Sequence, residues 1–507
     1  MADFLIDSSA ANPKTVADIQ QLLDSNAVHA GDAIVLKGTF SQNDDQFLRL
    51  SKSVTLRGDA DAGATISGGR QLQWGRAPDG ASIQPIAATI DNITFDNFQI
   101  GAIQIVGAVG SNVISNCHFE NYRYGVKSTE LKGAWPIVGG NAGVSGSLKI
   151  TGCHFGAPAA QTVPAGGMNN ALHINNCDLQ QLVISDNVID DMYLMCLAVW
   201  GVSGLTEIIG NTITKASSWT QSAGAAIGFG LRPSGYPMNR DGSVLIEGNT
   251  INIDAGDSSG IVVGLYPEST YLPASGAGAQ RTLTIRGNVV HMRGAGGTGA
   301  KGHRAALACL GACSNSSWTH NVVAGSAQCG ILVSQEAAAI AKPSAEAPTN
   351  NSFEENALAG GQLVDPTDGQ TKQFEPFTAS EAEIFIAEGV SHLALRANAI
   401  GPVSGANQWP KFQLPVHAGI ACYGSDGEIA SNDFSRSNIQ GWIGGPTHVG
   451  CIFFAQSASG NRVEYSESEF PAGTLHPVSR QIFDEGHPGM KPEKDKNIVS
   501  EVVGAPG

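Results

Sequence analysis

Residues 208–213 read Ile208-Ile209-Gly210-Asn211-Thr212-Ile213, and the same figure returns as Ile246-Glu-Gly-Asn-Thr-Ile251 and Ile285-Arg-Gly-Asn-Val-Val290. Each has β-type residues, a Gly or polar residue, an Asn, one variable residue and an apolar residue. Allowing Cys in the Asn slot, the figure occurs ten times, at Cys117, Cys153, Asn187, Asn211, Asn249, Asn288, Asn321, Asn356, Asn398 and Asn432. The mean spacing is 35 residues and the range 24 to 42. A repeat of that length is one supersecondary unit that cannot bury its apolar face alone and must stack on its neighbours.

A second strand follows each figure, among them GVKSTEL, ALHINN, CLAVWGV, GIVVGLY, ALACLGA and GILVSQE. Its side chains are read as alternating in and out with period two, one face buried. Two strands per coil, with insertions confined to the turns, predict an all-β chain folded as a right-handed parallel β-helix solenoid. An inward Asn or Cys in the same slot of successive coils stacks along the axis, because a buried amide must be satisfied and the next coil offers an identical partner. Composition agrees. The 507 residues exceed what one compact core holds, and 63 Gly with 15% charged residues describe a turn-rich β protein.

At the start, Thr15-Val-Ala-Asp-Ile-Gln-Gln-Leu-Leu puts Val16, Ile19, Leu22 and Leu23 on one helical face, as a capping helix would. The strands GDAIVLKGTF and SVTLRGDADAGATISGG follow. This run resembles the N-terminal cap and first coils of pectate-lyase-like, carbohydrate-active β-helix proteins, and the resemblance implies a carbohydrate ligand held in a lateral groove. One β-helix domain is expected over residues 1–480, with the cap in 1–50 and coils in 51–480. Residues 481–507 read as a C-terminal cap or tail.

The formal charge of −16 and pI near 5.1 argue against nucleic-acid and anionic-membrane partners, which need a basic footprint. The stretch from Ala226 to Arg304 is the exception, with seven Lys or Arg against five Asp or Glu. No stretch approaches a membrane span and no secretory leader is visible, which leaves the compartment open. Nine cysteines without a CxxC pair read as buried thiols, and no metal or cofactor is expected. β-Helices often form oligomers, although no coiled-coil heptad is seen.

Function is expected where long insertions wall one edge of the coils. With the strand faces beneath them, these carry Trp135, Trp200, Arg240, Tyr266, Glu268, Tyr271 and Glu336, whose rings and polar heads suit sugar binding. Lys127 and His173 are read as outward, solvent-facing groups of successive second strands. With Arg232 and Tyr236 they are the right types for a neutraliser and a base. A polysaccharide lyase acting by β-elimination on a uronate-containing glycan is the leading expectation. A glycoside hydrolase or transglycosylating enzyme would instead draw on Asp190, Asp191, Glu207, Glu268 and Glu336. A non-catalytic glycan-binding or structural β-helix is the third class. His118 and His154 are expected to stack outward on adjacent coils with no carboxylate at their register.

Overall fold

The structure, a computed structural model, describes residues 2–43, 46–98, 101–122, 124–127, 141–156, 170–190, 192, 195–215, 224–230, 242–254, 258–264, 282–292, 305–311, 313–325, 329–334, 347–359, 382–401, 418–435, 451–454, 458–470, 478–480 and 497–501. It divides into two compact units. The first comprises Met1–Trp219, Pro233–Thr250 and Gly276–Arg281; the second comprises Thr220–Arg232, Ile251–Ser275 and Thr282–Gly507. Both are right-handed parallel β-helices.

Each coil visits three parallel columns of strands, not two, because the repeated figure bends in its middle. The residue before the Asn or Cys slot is left-handed, with φ between 52° and 66° at Asn116, Gly152, Asp186, Gly210, Gly248, Gly287, His320, Glu355, Ala397 and Ser431. A left-handed residue cannot continue a strand, so one figure feeds two columns. In the first unit Ser111–Ser115 leads and pairs with Thr89–Asp91 and Asn141–Thr151. Beyond the corner, His118–Tyr122 pairs with Ile93–Phe98 and His154–Phe155. Tyr124–Lys127 lies in the third column, between Ile103–Ile105 and Asn170–Ser185. In the second unit Ser316–Thr319, Val322–Gly325 and Cys329–Ser334 repeat the sequence.

All ten slot residues are at most 2% exposed. In the first unit the Oδ1 of Asn249 accepts both the backbone N–H and the Nδ2–H of Asn211, at 3.0 and 2.9 Å, and Asn211 Nδ2 also donates to Ile184 O at 3.0 Å. In the second unit Asn321, Asn356, Asn398 and Asn432 receive the same two bonds from the slot one coil earlier. Every polar atom of such a carboxamide is thereby used. Where the slot is Cys, Phe95, Phe119 and Phe155 stack beside it at 5.3 and 4.5 Å between centroids. All nine cysteines are buried thiols, and burial pushes Cys422 and Cys451 up to about 12.

The helix Val16–Asp24 buries Val16, Ile19 and Leu23, with Leu22 half-exposed, and Asp18 closes a capping box with Thr15. Strand pairing reaches into both end regions of the described chain. Asp3–Asp7 already pairs with Ala33–Gln42, and Ile498–Glu501 pairs with Arg462–Tyr465. Asn461 donates through its backbone N–H and Nδ2 to Asn497 Oδ1, so residues 497–501 belong to a coil. This second ladder sits at the start of the leading strand, a place the ten-fold figure does not cover.

Two outcomes test this architecture. Asn356→Ala leaves the Asn321 donors buried without an acceptor, and the folded state should lose about 3 kcal/mol or more, read as a lower denaturant midpoint. Ala397→Gly relieves a left-handed alanine, and should raise the midpoint by about 1 kcal/mol.

Candidate functional site

The third column of the first unit alternates strictly. Leu48, Leu72, Ile103, Leu172 and Leu197 occupy the inward row and are at most 1% exposed. One residue on, a polar row runs across successive coils. Arg49 stands opposite Gln73, Gln73 opposite Gln104, Gln104 opposite Lys127, and Lys127 opposite His173. Neighbouring strands lie about 4.8 Å apart, so the Lys127 and His173 backbones are adjacent rungs. Trp200 is opposite Asn175, two residues along from His173.

His173 does not face solvent as the alternation implied. It is 5% exposed and Gln104 is 2% exposed, so the outer row is covered at these two rungs, while Arg49 and Gln73 are half-buried. Asn170 fixes the ring. Its Oδ1 accepts the Met195 N–H at 3.4 Å, which turns its amide nitrogen toward His173 Nδ1 at 3.0 Å. Nδ1 is therefore the acceptor, and the proton of the neutral imidazole resides on Nε2, an assignment made from the partners.

In the second unit the same column is buried on both faces. Every residue of Ser258–Val263, Ala305–Leu310, Cys329–Ser334 and Ala382–Ile386 is buried. Within it Glu383 is fully buried, and Gly330 and Gly419 flank it in register. A side chain at Gly330 would place its Cβ 3.1 Å from Glu383 Oε2, so the glycine leaves room for the carboxylate. Sequence reading passed over Glu383, although a charged residue inside the apolar run AEIFI was its signal.

Of the carboxylates named for hydrolysis, the two among the described residues lie in different columns. Asp190 follows Val188–Ile189 in the second column, whereas Glu207 lies in the leading strand Leu205–Ile209, where Gln181 Nε2 donates to it at 2.7 Å. His118 and His154 do stack outward, with centroids 5.6 Å apart and planes at 77°. Asp190, two residues beyond the position in register with His154, places its Oδ2 2.8 Å from His154 Nε2. Among the described residues no three His, Cys, Asp or Glu side chains converge as a metal site requires. None of their helices is long and apolar enough to cross a membrane.

Trp135, Asp191, Arg232, Tyr236, Arg240, Tyr266, Glu268, Tyr271 and Glu336 lie outside the described residues, as do the side chains of Lys127 and Trp200. The residues that sequence reading missed are Arg49, Gln73, Gln104 and Asn170. The first three share the Lys127 row, but they precede the first clear copy of the repeated figure, so their register could not be counted from it.

No protein-family model matches the chain, and no curated protein does. Solved structures do. A mannuronic acid specific polysaccharide family 6 lyase from human gut microbiota is 12% identical, with a TM-score of 0.36 over 85% of this chain and 86% of that one. DFA-IIIase from Arthrobacter chlorophenolicus is 13% identical, with a TM-score of 0.37 over 93% and 96%. A tailspike protein of E. coli bacteriophage HK620, in complex with a pentasaccharide, is 12% identical, with a TM-score of 0.42 over 91% and 73%. At these identities the likeness concerns the fold alone.

Nitrogen-15 chemical shifts of the His173 ring should report a neutral imidazole protonated at Nε2. Asn170→Asp, which replaces the donor by an acceptor, should move the proton to Nδ1.

Proposed function

We propose that the protein cleaves a uronate-containing polysaccharide by β-elimination, on the outer row of the third strand column of the first unit. The observation that carries this reading is the register that sets Lys127 opposite His173, together with the hydrogen bond that holds His173 as a neutral Nε2–H donor. Elimination needs a donor to the uronate carboxylate, which makes the neighbouring C–H acidic, and a base to take that proton.

The two roles separate by chemistry. With Nδ1 already engaged and Nε2 protonated, His173 is suited to donate to the carboxylate and unsuited to act as base. Lys127 then takes the proton in its neutral form. The electron pair released forms the ring double bond while the bond to the leaving glycosidic oxygen breaks, and the new ammonium returns its proton to that oxygen. Gln104 and His173, the rungs on either side of Lys127, are both buried. Elimination by this route needs Lys127 uncharged, so activity should rise with pH as the amine deprotonates.

The test is incubation with polyuronates and neutral polysaccharides, following both reducing ends and the absorbance of the unsaturated uronate. Both should appear on a uronate polymer. Lys127→Ala should lower kcat by about 100-fold or more, and His173→Gln, which keeps an N–H donor, should retain clearly more activity than His173→Ala. Reducing ends without unsaturation would replace elimination by hydrolysis. Silence on every polymer would leave a glycan-binding protein.

A further inference from the structure

The polar row that passes through Lys127 and His173 ends, on its N-terminal side, in a cluster that the proposed chemistry does not use. Arg49 and Arg70 converge on one ring, their Cζ atoms 6.0 and 5.3 Å from the centroid of Phe47. All three side chains are half-buried. Among the described residues neither guanidinium has an acidic partner, in a chain of net charge −16. Arg49 Nε is buried with no acceptor.

A second observation at the same place points to a ligand. Gln42 is 7% exposed, and neither its Oε1 nor its Nε2 has a hydrogen-bond partner. Buried carboxamides are rarely left so. Its side chain lies over Gly69, where an added Cβ would meet Cδ at 2.5 Å. The next residue, Arg70, donates its backbone N–H to Gln46 O at 3.0 Å, which ties it to the turn that carries Gln42 and Phe47.

The surroundings hold these groups in place. Gln20 of the capping helix accepts the Arg49 N–H at 2.8 Å through Oε1 and donates to Arg49 O through Nε2 at 3.3 Å. Gly80 leaves space for the guanidinium, since a Cβ there would lie 3.0 Å from Arg49 Nη2. Two forked cations, an amide donor and an aromatic face are the groups that recognise a carboxylate-bearing pyranose ring.

We propose that Gln42, Phe47, Arg49 and Arg70 form a distal subsite for a uronate residue of the same glycan whose cleavage is assigned to Lys127 and His173; the inference rests on that reading. Four strand steps separate Arg49 from His173, about 19 Å, so the subsite is engaged only by a chain of several sugars. It sets the preferred substrate length and leaves the chemistry at the bond unchanged.

The experiment compares oligomannuronates and oligogalacturonates as trimers and hexamers, with carboxyl-reduced hexamers as neutral controls. Binding is measured by calorimetry in a Lys127→Ala chain, and cleavage in the active one. The hexamer should bind at least about tenfold more tightly than the trimer. Arg49→Gln with Arg70→Gln should abolish that difference and raise the hexamer KM with little change in kcat. Phe47→Leu, which keeps both cations, should weaken it partly. The reduced hexamer should show no preference over a trimer.

A double variant that folds, by its unchanged melting midpoint, and keeps the hexamer preference would overturn the subsite, as would equal preference for reduced hexamers. Either result would give the arginines a structural role instead. If no polymer is eliminated yet the arginine-dependent hexamer preference persists, the catalytic reading falls and the subsite stands. Elimination with no arginine dependence sinks the subsite alone.

Discussion

Every coil that carries the repeated figure has the same difficulty at the same place. The chain turns a corner inside the body of the helix, and the residue just beyond the corner carries a buried backbone N–H that no strand partner reaches. The side chain of the following coil supplies the acceptor. One carboxamide oxygen takes both the main-chain and the side-chain hydrogen of the Asn before it, and that Asn sends its other hydrogen back to a carbonyl. The arrangement closes only if each coil carries the same residue at the same depth. Where Cys replaces Asn, at Cys117 and Cys153, the sulfur is a weak partner. The neighbouring inward residue there is Phe, and the stacked rings of Phe95, Phe119 and Phe155 carry the contact between coils.

Fixing the corner fixes the register of all three columns. Side chains in equivalent positions then form straight rows with the strand spacing as their period, and a row can hold an extended polymer whose units repeat at a similar interval. The outer row of the third column in the first unit has that form. Arg49, Gln73, Gln104, Lys127 and His173 occupy consecutive rungs, whereas the inward row one residue away is purely aliphatic. In the proposed function, binding and chemistry are read from one line of residues rather than from a pocket.

The ten slots were legible in the sequence because a buried Asn tolerates few alternatives, so its spacing survives the wandering length of the insertions. The bend inside each figure was harder to see. Gly marks it at Gly210 and Gly248, but Glu355 and Ala397 adopt the same left-handed conformation without any signal in their identity. Burial of the third column on both faces had a trace that went unused. Runs such as ALACL and GILVS are continuously apolar, which belongs to strands covered on two sides, and the alternation read into them misplaced His173 at the surface. Lys127 and His173 were named by counting register from the figure. Arg49 and Gln104 were not, since the count had no starting point there. The residues named in the long insertions depend on loop paths that no periodicity specifies.

The slot-to-slot bonds of the Asn ladder all point one way. Each slot donates its backbone N–H and one Nδ2 hydrogen to the slot that follows it in the chain, while its other Nδ2 hydrogen goes back to a carbonyl of the coil before. The ladder is therefore polar, like a stack of cups rather than a stack of coins. A chain built from its N-terminus would complete each corner only when the next coil arrives, and would carry a single open corner at its growing end. Assembly in the opposite direction would bury an acceptor with nothing to receive. Direction of synthesis and direction of the slot-to-slot bonds coincide in this fold.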